Sequence, residues 1–387
     1  MRRGLTFCDL STFYTPTGGG IRTYHDAKLN WFSAQRLHRY VLIYPARHYS
    51  MEQISSAVTI VTACGASVGA GYRLPVDIAR IRSVVRDLRP DVLETGDPWF
   101  SGPLGLWFKH KGYVRGMVAS FFHGDPLRTY VDPWVARARV PAVRRRLGDR
   151  AGQWFFRVQR MYDLTLASSA QAEQALRTQG VRNVARVPFG VDSLFLDAGR
   201  ARSSTSGPRR PIRLLYAGRL QLDKGFDLLL ATIQDLLRRP DVTLSIAGRG
   251  PLVADIARIQ HPRLTYLGYV ADRPALGRIY LRHDVLLAPG PHETFGLAAL
   301  EALASGMVVV GPRAGGTGEL LRQLESPCVF EPGDRVSWLA AVDDAIDGDH
   351  RRRTLDGRRL ASSYGPWHDA VAREVETYCK YLSRFTT

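Results

Sequence analysis

The sequence predicts an α/β protein built from two doubly wound, Rossmann-like domains, and three observations predict it. Two series of short apolar runs alternate with helical patterns, one within residues 1–192 and one within residues 212–365. Most of these runs are apolar throughout, as strands buried on both faces of a parallel sheet must be. Glycine-rich and polar loops follow the runs, where such sheets place their ligands. A chain of 387 residues has length for two cores of this kind.

Composition bounds the function classes. No apolar run reaches the roughly 18 residues that suggest a membrane helix, and Met1-Arg2-Arg3-Gly4 leads straight into a strand, so we read neither a span nor a signal peptide. Cys8, Cys64, Cys328 and Cys379 lack metal-type spacing, which fits reduced thiols in a cytosol and no structural zinc. The 53 Lys and Arg against 36 Asp and Glu leave a net charge of +17, which favours polyanions: nucleic acid, anionic lipid or a phosphorylated substrate. Arginine richness also follows from a GC-rich genome, so charge alone separates none of these.

The first series opens with a strand at 5–9, a loop through Tyr14 to Thr17-Gly18-Gly19-Gly20, and a helix at 21–37. Glycines at this junction let backbone approach a ligand at the carboxyl edge of the sheet, although the spacing is not G-x-G-x-x-G. Strands follow at 40–44, 57–62, 91–94 and 117–122, with helices between. Two strand ends carry polar strings, Glu94-Thr95-Gly96-Asp97-Pro98 and His123-Gly124-Asp125-Pro126. Residues just past strand ends face the ligand crevice, which makes His123, Asp97 and Asp125 candidates. An ordinary turn explains the two Asp-Pro pairs equally well. Residues 133–160 interleave arginines with Trp134, Trp154, Phe155 and Phe156, which suits either a helix lying on an anionic bilayer or a helical hairpin with its aromatics inward. A strand at 163–167, a helix at 170–178 and a run at 184–188 lead to Phe189-Gly190-Val191-Asp192. Residues 193–211, above all 198–210, read as a linker.

The second series starts with a strand at 212–217 and the loop Gly218-Arg219-Leu220-Gln221-Leu222-Asp223-Lys224-Gly225, before an amphipathic helix at 226–238. Arg219 as a fork and Lys224 as a point charge can meet a diphosphate there. A strand at 244–247 leads into Gly248-Arg249-Gly250, and one at 264–267 into Gly268-Tyr269-Val270-Ala271-Asp272. Asp272 reads first as the cap of the next helix. After a strand at 285–287 and Pro289-Gly290-Pro291 comes a helix at 294–305, then a strand at 307–310. The N-terminus of that helix can hold phosphates or hydroxyls over Thr294, Phe295, Gly296 and Leu297. Glu293 and Glu301 stand roughly 12 Å apart along it, too far to share one reacting atom but suited to the two ends of an elongated ligand. The plain alternative makes Glu293 a helix cap and Glu301 a surface charge. Residues 311–318 read as a further glycine loop before a helix from 319. Residues 366–385 read as one helix with a core-facing stripe of Trp367, Val371, Val375, Tyr378 and Leu382.

The phrase E-T-F-G-L-A-A-L-E-A-L-A-S-G at residues 293–306 resembles the donor-site signature of family 4 retaining glycosyltransferases of the GT-B fold. T-G-G-G-I-R-T-Y-H-D-A-K, F-F-H-G-D, F-G-V-D and the G-R-L then K-G pattern resemble other parts of the same family. The resemblance implies two domains facing a cleft: residues 1–192 with the returning helix 366–387 on the acceptor side, and residues 212–365 on the nucleotide-sugar side. It implies that Arg219 and Lys224 clamp the leaving diphosphate without a metal, and that Glu293 and His123 act on the donor sugar while Glu301 holds the ribose. Gly19, Gly20, Gly218, Gly248, Arg249, Gly250 and Val270 would line the donor, and Tyr14, Asp97 and Asp125 the acceptor. No cofactor beyond the nucleotide diphosphate sugar is implied.

Together with G-Y-R-L-P at residues 71–75, these phrases look most like bacterial GDP-mannose-dependent α-mannosyltransferases, with a UDP-hexose donor as the alternative. A lipid-linked or saccharide acceptor and peripheral attachment to an anionic membrane follow from the same resemblance, and the cysteine usage adds a cytoplasmic location. A sugar-nucleotide epimerase of related fold and a polyanion-binding protein are the rivals from other classes. No helix-turn-helix, aromatic RNP motif or zinc finger accompanies the charge, so no specific nucleic acid is expected.

Overall fold

The computed structural model describes residues 4–16, 18–69, 72–123, 141–202 and 211–384. They form two compact units: one reaches to Val187 and resumes at His368, and the other runs Pro188–Trp367.

In the first unit the strands are β1 (Thr6–Leu10), β2 (Arg39–Ala46), β3 (Ser50–Gln53), β4 (Val58–Gly69), β5 (Tyr72–Pro75), β6 (Val92–Thr95), β7 (Met117–Phe122), β8 (Leu164–Ala167) and β9 (Val184–Arg186). Their order is β3-β4-β2-β1-β6-β7-β8-β9, with β5 on β4, and every pairing is parallel except those of β3 and β5. Here the structure departs from simple alternation. The chain between β2 and β4 is shorter than the dozen or so residues of a crossover helix, and it returns as antiparallel β3 instead. Tyr72–Pro75, from the predicted G-Y-R-L-P phrase, forms β5 on β4. The first helix, Gly20–Ala34, stops short of residue 37 because the Gln35 side chain accepts from the backbone N–H of Leu37 and His38 and donates to the His38 carbonyl.

The second unit contains β10 (Ile212–Ala217), β11 (Val242–Ala247), β12 (Leu264–Gly268), β13 (Val285–Leu287), β14 (Val308–Pro312) and β15 (Cys328–Phe330). Their order, β12-β11-β10-β13-β14-β15, is wholly parallel and doubly wound, so the winding reverses between β10 and β13. The carboxyl ends of those two strands flank the crevice where ligands of such sheets bind. Behind them the helix Phe226–Arg238 buries Phe226, Leu229, Ile233 and Leu237, and Thr232 Oγ1 accepts from the buried Trp338 Nε1 at 3.0 Å.

The linker reading needs correction over residues 193–201. Ser193–Ala201 is a helix, started by Asp192, whose carboxylate accepts from Leu194 N at 3.1 Å. Phe195 packs on Tyr280, and a Cβ on Gly199 would sit 1.9 Å from the Ala304 carbonyl oxygen, so this helix is pressed into the second unit. Its glycine and small residues serve close packing, and composition alone reads them as flexibility. Nearby, Val191 and Trp367 exchange backbone hydrogen bonds with the 365–367 and 191 segments, laying the two connecting stretches side by side.

Candidate active site

The loops after β10 and β11 are zipped together by backbone. Gly218 N donates to Ala247 O and Leu220 N to Arg249 O, each at 3.0 Å. A Cβ on Gly248, whose φ is +148°, would lie 1.9 Å from the Gly218 carbonyl oxygen, so only glycine permits this approach. Tyr216 Oη donates to the Arg219 carbonyl at 2.6 Å and fixes the turn that presents the arginine. Arg219 and Lys224, placed here by β10 and the turn Leu222–Lys224, each meet an acid. Arg219 Nη2 lies 2.8 Å from Asp223 Oδ2 and its Nη1 donates to Gln221 Oε1 at 2.7 Å, while Lys224 Nζ lies 2.6 Å from Glu293 Oε1. Glu293 comes from the loop after β13, so both sides of the winding reversal contribute. The Lys224 charge and hydrogen bond outweigh burial and hold the Glu293 carboxyl below its ordinary range. Arg249 is exposed, with its guanidinium stacked 4.4 Å from the Tyr269 ring centroid beside the half-buried Val270.

The predicted helix at 294–305 starts later, as Leu297–Ala304, because Gly296 takes the left-handed conformation at φ +86° and becomes its N-cap. Glu293 therefore does not cap it. Thr294 stays in the loop half-buried, and Phe295 turns into the unit's core against Phe189 and Tyr364, leaving its backbone to the site. Glu301 is not a surface charge: it is 4% exposed, with its Oε1 2.7 Å from Arg273 Nη2. Burial wins over that pairing and pushes its pKa up. Arg273 also reaches Asp192 at 3.4 Å and lies over the Phe195 ring, so it steers the glutamate. Asp272 caps the helix Arg273–Arg282 by accepting from Ala275 N at 2.8 Å.

The glycine phrase at 311–318 is corrected: a helix begins at Gly315, not 319. A Cβ on Gly316 would lie 2.3 Å from Thr294 C and Phe295 N, and one on Gly318 2.4 Å from the Arg313 carbonyl oxygen. Gly316 lets the helix press against the 293–296 loop from behind the site, and Gly318 lets it fold back on its own approach at Arg313.

In the first unit, Gly19 and Gly20 are exposed at the start of the helix Gly20–Ala34. His123 follows β7 directly, its ring stacked on Phe121 at 4.7 Å and edge-on to Tyr24 at 4.5 Å. Burial, then the charges of His25 and Lys28, push its pKa well down, which leaves a neutral imidazole. Tyr14 is buried between His25 and Tyr44. Asp97 adopts the turn role: Oδ1 accepts from Trp99 N and Phe100 N, and Oδ2 from Ser101 N and Oγ. Asp125 lies outside the described residues, as do residues 133–140 of the basic stretch. In the helix Pro141–Gln159, Phe155 packs inward on Phe122 and Trp99, while Trp154 is exposed.

Sequence reasoning missed a buried charge cluster beneath His123. Lys28 Nζ lies 2.7 Å from Asp9, 2.9 Å from Glu94 and 2.9 Å from Glu374, the last on the returning helix Trp367–Leu382. Tyr24, Tyr40 and Tyr378 direct hydroxyls at the same carboxylates. The helical spacings Tyr24–Lys28 and Glu374–Tyr378 were the available signal, since each pair shares one face. The expected apolar stripe of that last helix is buried as well.

Comparison with known proteins gives this geometry a family. The model described as Glycosyltransferase Family 4 matches residues 19–193, and the one described as Glycosyl transferases group 1 matches residues 211–347. A GDP-mannose-dependent alpha-mannosyltransferase of Mycobacterium tuberculosis is 31% identical over 296 residues, covering 74% of this chain and 72% of its own. This chain is a family 4 glycosyltransferase. A GDP-mannose-dependent alpha-(1-6)-phosphatidylinositol dimannoside mannosyltransferase of the same organism is 28% identical over 376 residues, covering 95% of this glycosyltransferase and 94% of its own length. Sucrose-phosphate synthase from Thermosynechococcus elongatus superposes with a TM-score of 0.75 at 18% identity, over 99% of this chain and 100% of its own, which gives the GT-B fold. The glycosyltransferase is accordingly a hexosyltransferase. Among its described residues no helix is long and apolar enough to cross a membrane.

Proposed function

We propose that this glycosyltransferase transfers mannose from GDP-mannose to a hydroxyl of a lipid-linked or saccharide acceptor, with retention and without a metal. The observation that carries the reading is the meeting of Arg219, Lys224 and Glu293 at the winding reversal between β10 and β13. Two relatives that cover most of this chain are GDP-mannose-dependent by name, which favours mannose over a UDP-hexose.

In this reading the bond from the sugar's anomeric carbon to the diphosphate breaks, and Arg219, Lys224 and helix-terminal N–H groups take up the charge that develops. The acceptor oxygen bonds to the same face of that carbon, and its proton passes to the departing phosphate oxygen. Glu293 orients sugar hydroxyls, Glu301 the ribose diol, and His123 offers a neutral imidazole to the sugar. The backbone around Gly218, Gly248, Gly250 and Val270, with Arg249, serves the nucleotide, and Gly19, Gly20 and Tyr14 serve the donor phosphate and acceptor in the first unit. A cytoplasmic location with peripheral attachment fits the +17 charge and the phosphatidylinositol dimannoside in one relative's name.

Nucleotide release by purified protein, with GDP-mannose or UDP-glucose and a panel of mannolipid and glycan acceptors, tests the donor. Turnover with GDP-mannose that survives EDTA and yields an α-linked product is expected. Turnover with UDP-glucose alone would overturn the donor assignment, and activity restored only by a divalent cation would overturn metal independence.

A further inference from the structure

Both cations of the diphosphate clamp are occupied by the chain's own acids. The two terminal nitrogens of Arg219 are engaged, one by Asp223 at 2.8 Å and one by Gln221 at 2.7 Å, and Lys224 is engaged by Glu293 at 2.6 Å. Two cations and two carboxylates leave the resting group formally neutral. Glu293 has a use elsewhere in the proposed reaction, on the sugar; Asp223 has none. It is not at a cap position of the helix Phe226–Arg238, whose N-cap is Gly225, so helix formation does not need its carboxylate. Its side chain is 10% exposed while that of Arg219 is 36% exposed, so the acid is the fixed member and the guanidinium the one that can turn outward.

A diphosphate binds arginine best through the planar fork, which here must first leave Asp223. We propose that Asp223 is the counter-ion against which the nucleoside diphosphate exchanges Arg219, so that this carboxylate weakens the hold on the spent nucleotide and speeds its departure. While the diphosphate is bound, Asp223 stays four residues from the arginine as a like charge beside the phosphates. When the diphosphate leaves, Asp223 recaptures the guanidinium. Product release limits turnover in many well-evolved enzymes, and a built-in competitor acts on that step. The inference rests on reading Arg219 and Lys224 as the clamp.

Calorimetry on the full chain with GDP, or UDP if GDP does not bind, tests it. Asp223→Asn and Asp223→Ser should each tighten GDP binding about five- to tenfold, the scale of removing one partly exposed competing charge. Turnover at saturating GDP-mannose should fall by a similar factor while kcat/KM for the donor does not, a split that a merely structural role would not produce. In an Arg219→Met background, Asp223→Asn should no longer tighten binding. Unchanged or weaker GDP binding in both Asp223 variants, with wild type binding and Arg219→Met impaired, would overturn the proposal. So would a wild-type complex with GDP in which the Arg219–Asp223 pair is intact, a result that needs no variant to fold. Failure of wild type to bind either nucleotide, or full binding by Arg219→Met, would instead overturn the clamp itself.

Discussion

The two units share one winding pattern and use charge in opposite ways. In the first, Lys28 and three acids are sealed at 3% exposure or less, with tyrosine hydroxyls filling the remaining hydrogen-bonding positions. In the second, Arg219 and Lys224 pair with acids on strand-end loops where the partners are up to a third exposed. A buried pair is costly to break because one charge is left in a poor solvent; an exposed pair exchanges readily because water replaces it. The first arrangement ties the returning helix, through Glu374 and Tyr378, to the sheet. The second leaves cations that a ligand can take over.

The comparison breaks most visibly in activity. Replacing Arg219 and Lys224 together by Met should lower kcat by about a thousandfold or more, the scale of lost transition-state charge stabilisation, with the fold retained by circular dichroism. Near-normal turnover in that variant would remove the functional half of the contrast.

Stability comes next. Lys28→Met should cost about 3–5 kcal/mol in denaturant unfolding, because Asp9, Glu94 and Glu374 lose their common cation. Lys224→Met should cost no more than about 1 kcal/mol. Equal losses would show that burial does not separate the two sites.

A smaller effect sharpens the second unit. Arg273→Met should raise the donor KM by about tenfold with little change in kcat, since the arginine steers Glu301 and does not meet the reacting atoms. A fall in kcat alone would assign Arg273 a different task.

A last effect is one of pH. Burial pushes the Glu374 carboxyl up to about 8 in the folded protein, from an ordinary value of 4.5. The stability this group contributes is full below pH 4.5 and is lost as pH rises through 8, because the unfolded chain ionises first. The lowered pKa of Asp9, about 2, acts below that window. Unfolding at pH 5.5 and 8.5 should show wild type losing more stability at the higher pH than Glu374→Gln, whose own slope is upward because buried His123 is harder to protonate folded than unfolded. An unchanged slope in the variant would place the titration elsewhere.

Much of this was legible because it is local. The strand runs, the Arg219–Lys224 loop and the 293–306 phrase depend on neighbours within a few residues, and the Asp272 cap on three. Periodicity could not show that β3 replaces a crossover helix, since that depends on how much chain remains between two strands. It also could not show that Asp97 spends both oxygens on its own turn, because the same Asp-Pro string suits a site or a bend.

What the sequence determined by itself was the alternation of elements, the family signature and the identity of the charged groups at strand ends, all of which are fixed by short-range pattern. What only the tertiary structure decided was which charge meets which, Lys28 with acids up to 346 residues away, Glu293 with Lys224 and Glu301 with Arg273, and that Gly316 presses on the backbone of 294–295. Burial and pairing are properties of packed neighbours, and a carboxylate's partner, exposure and protonation are set only once distant segments are brought within a few ångströms.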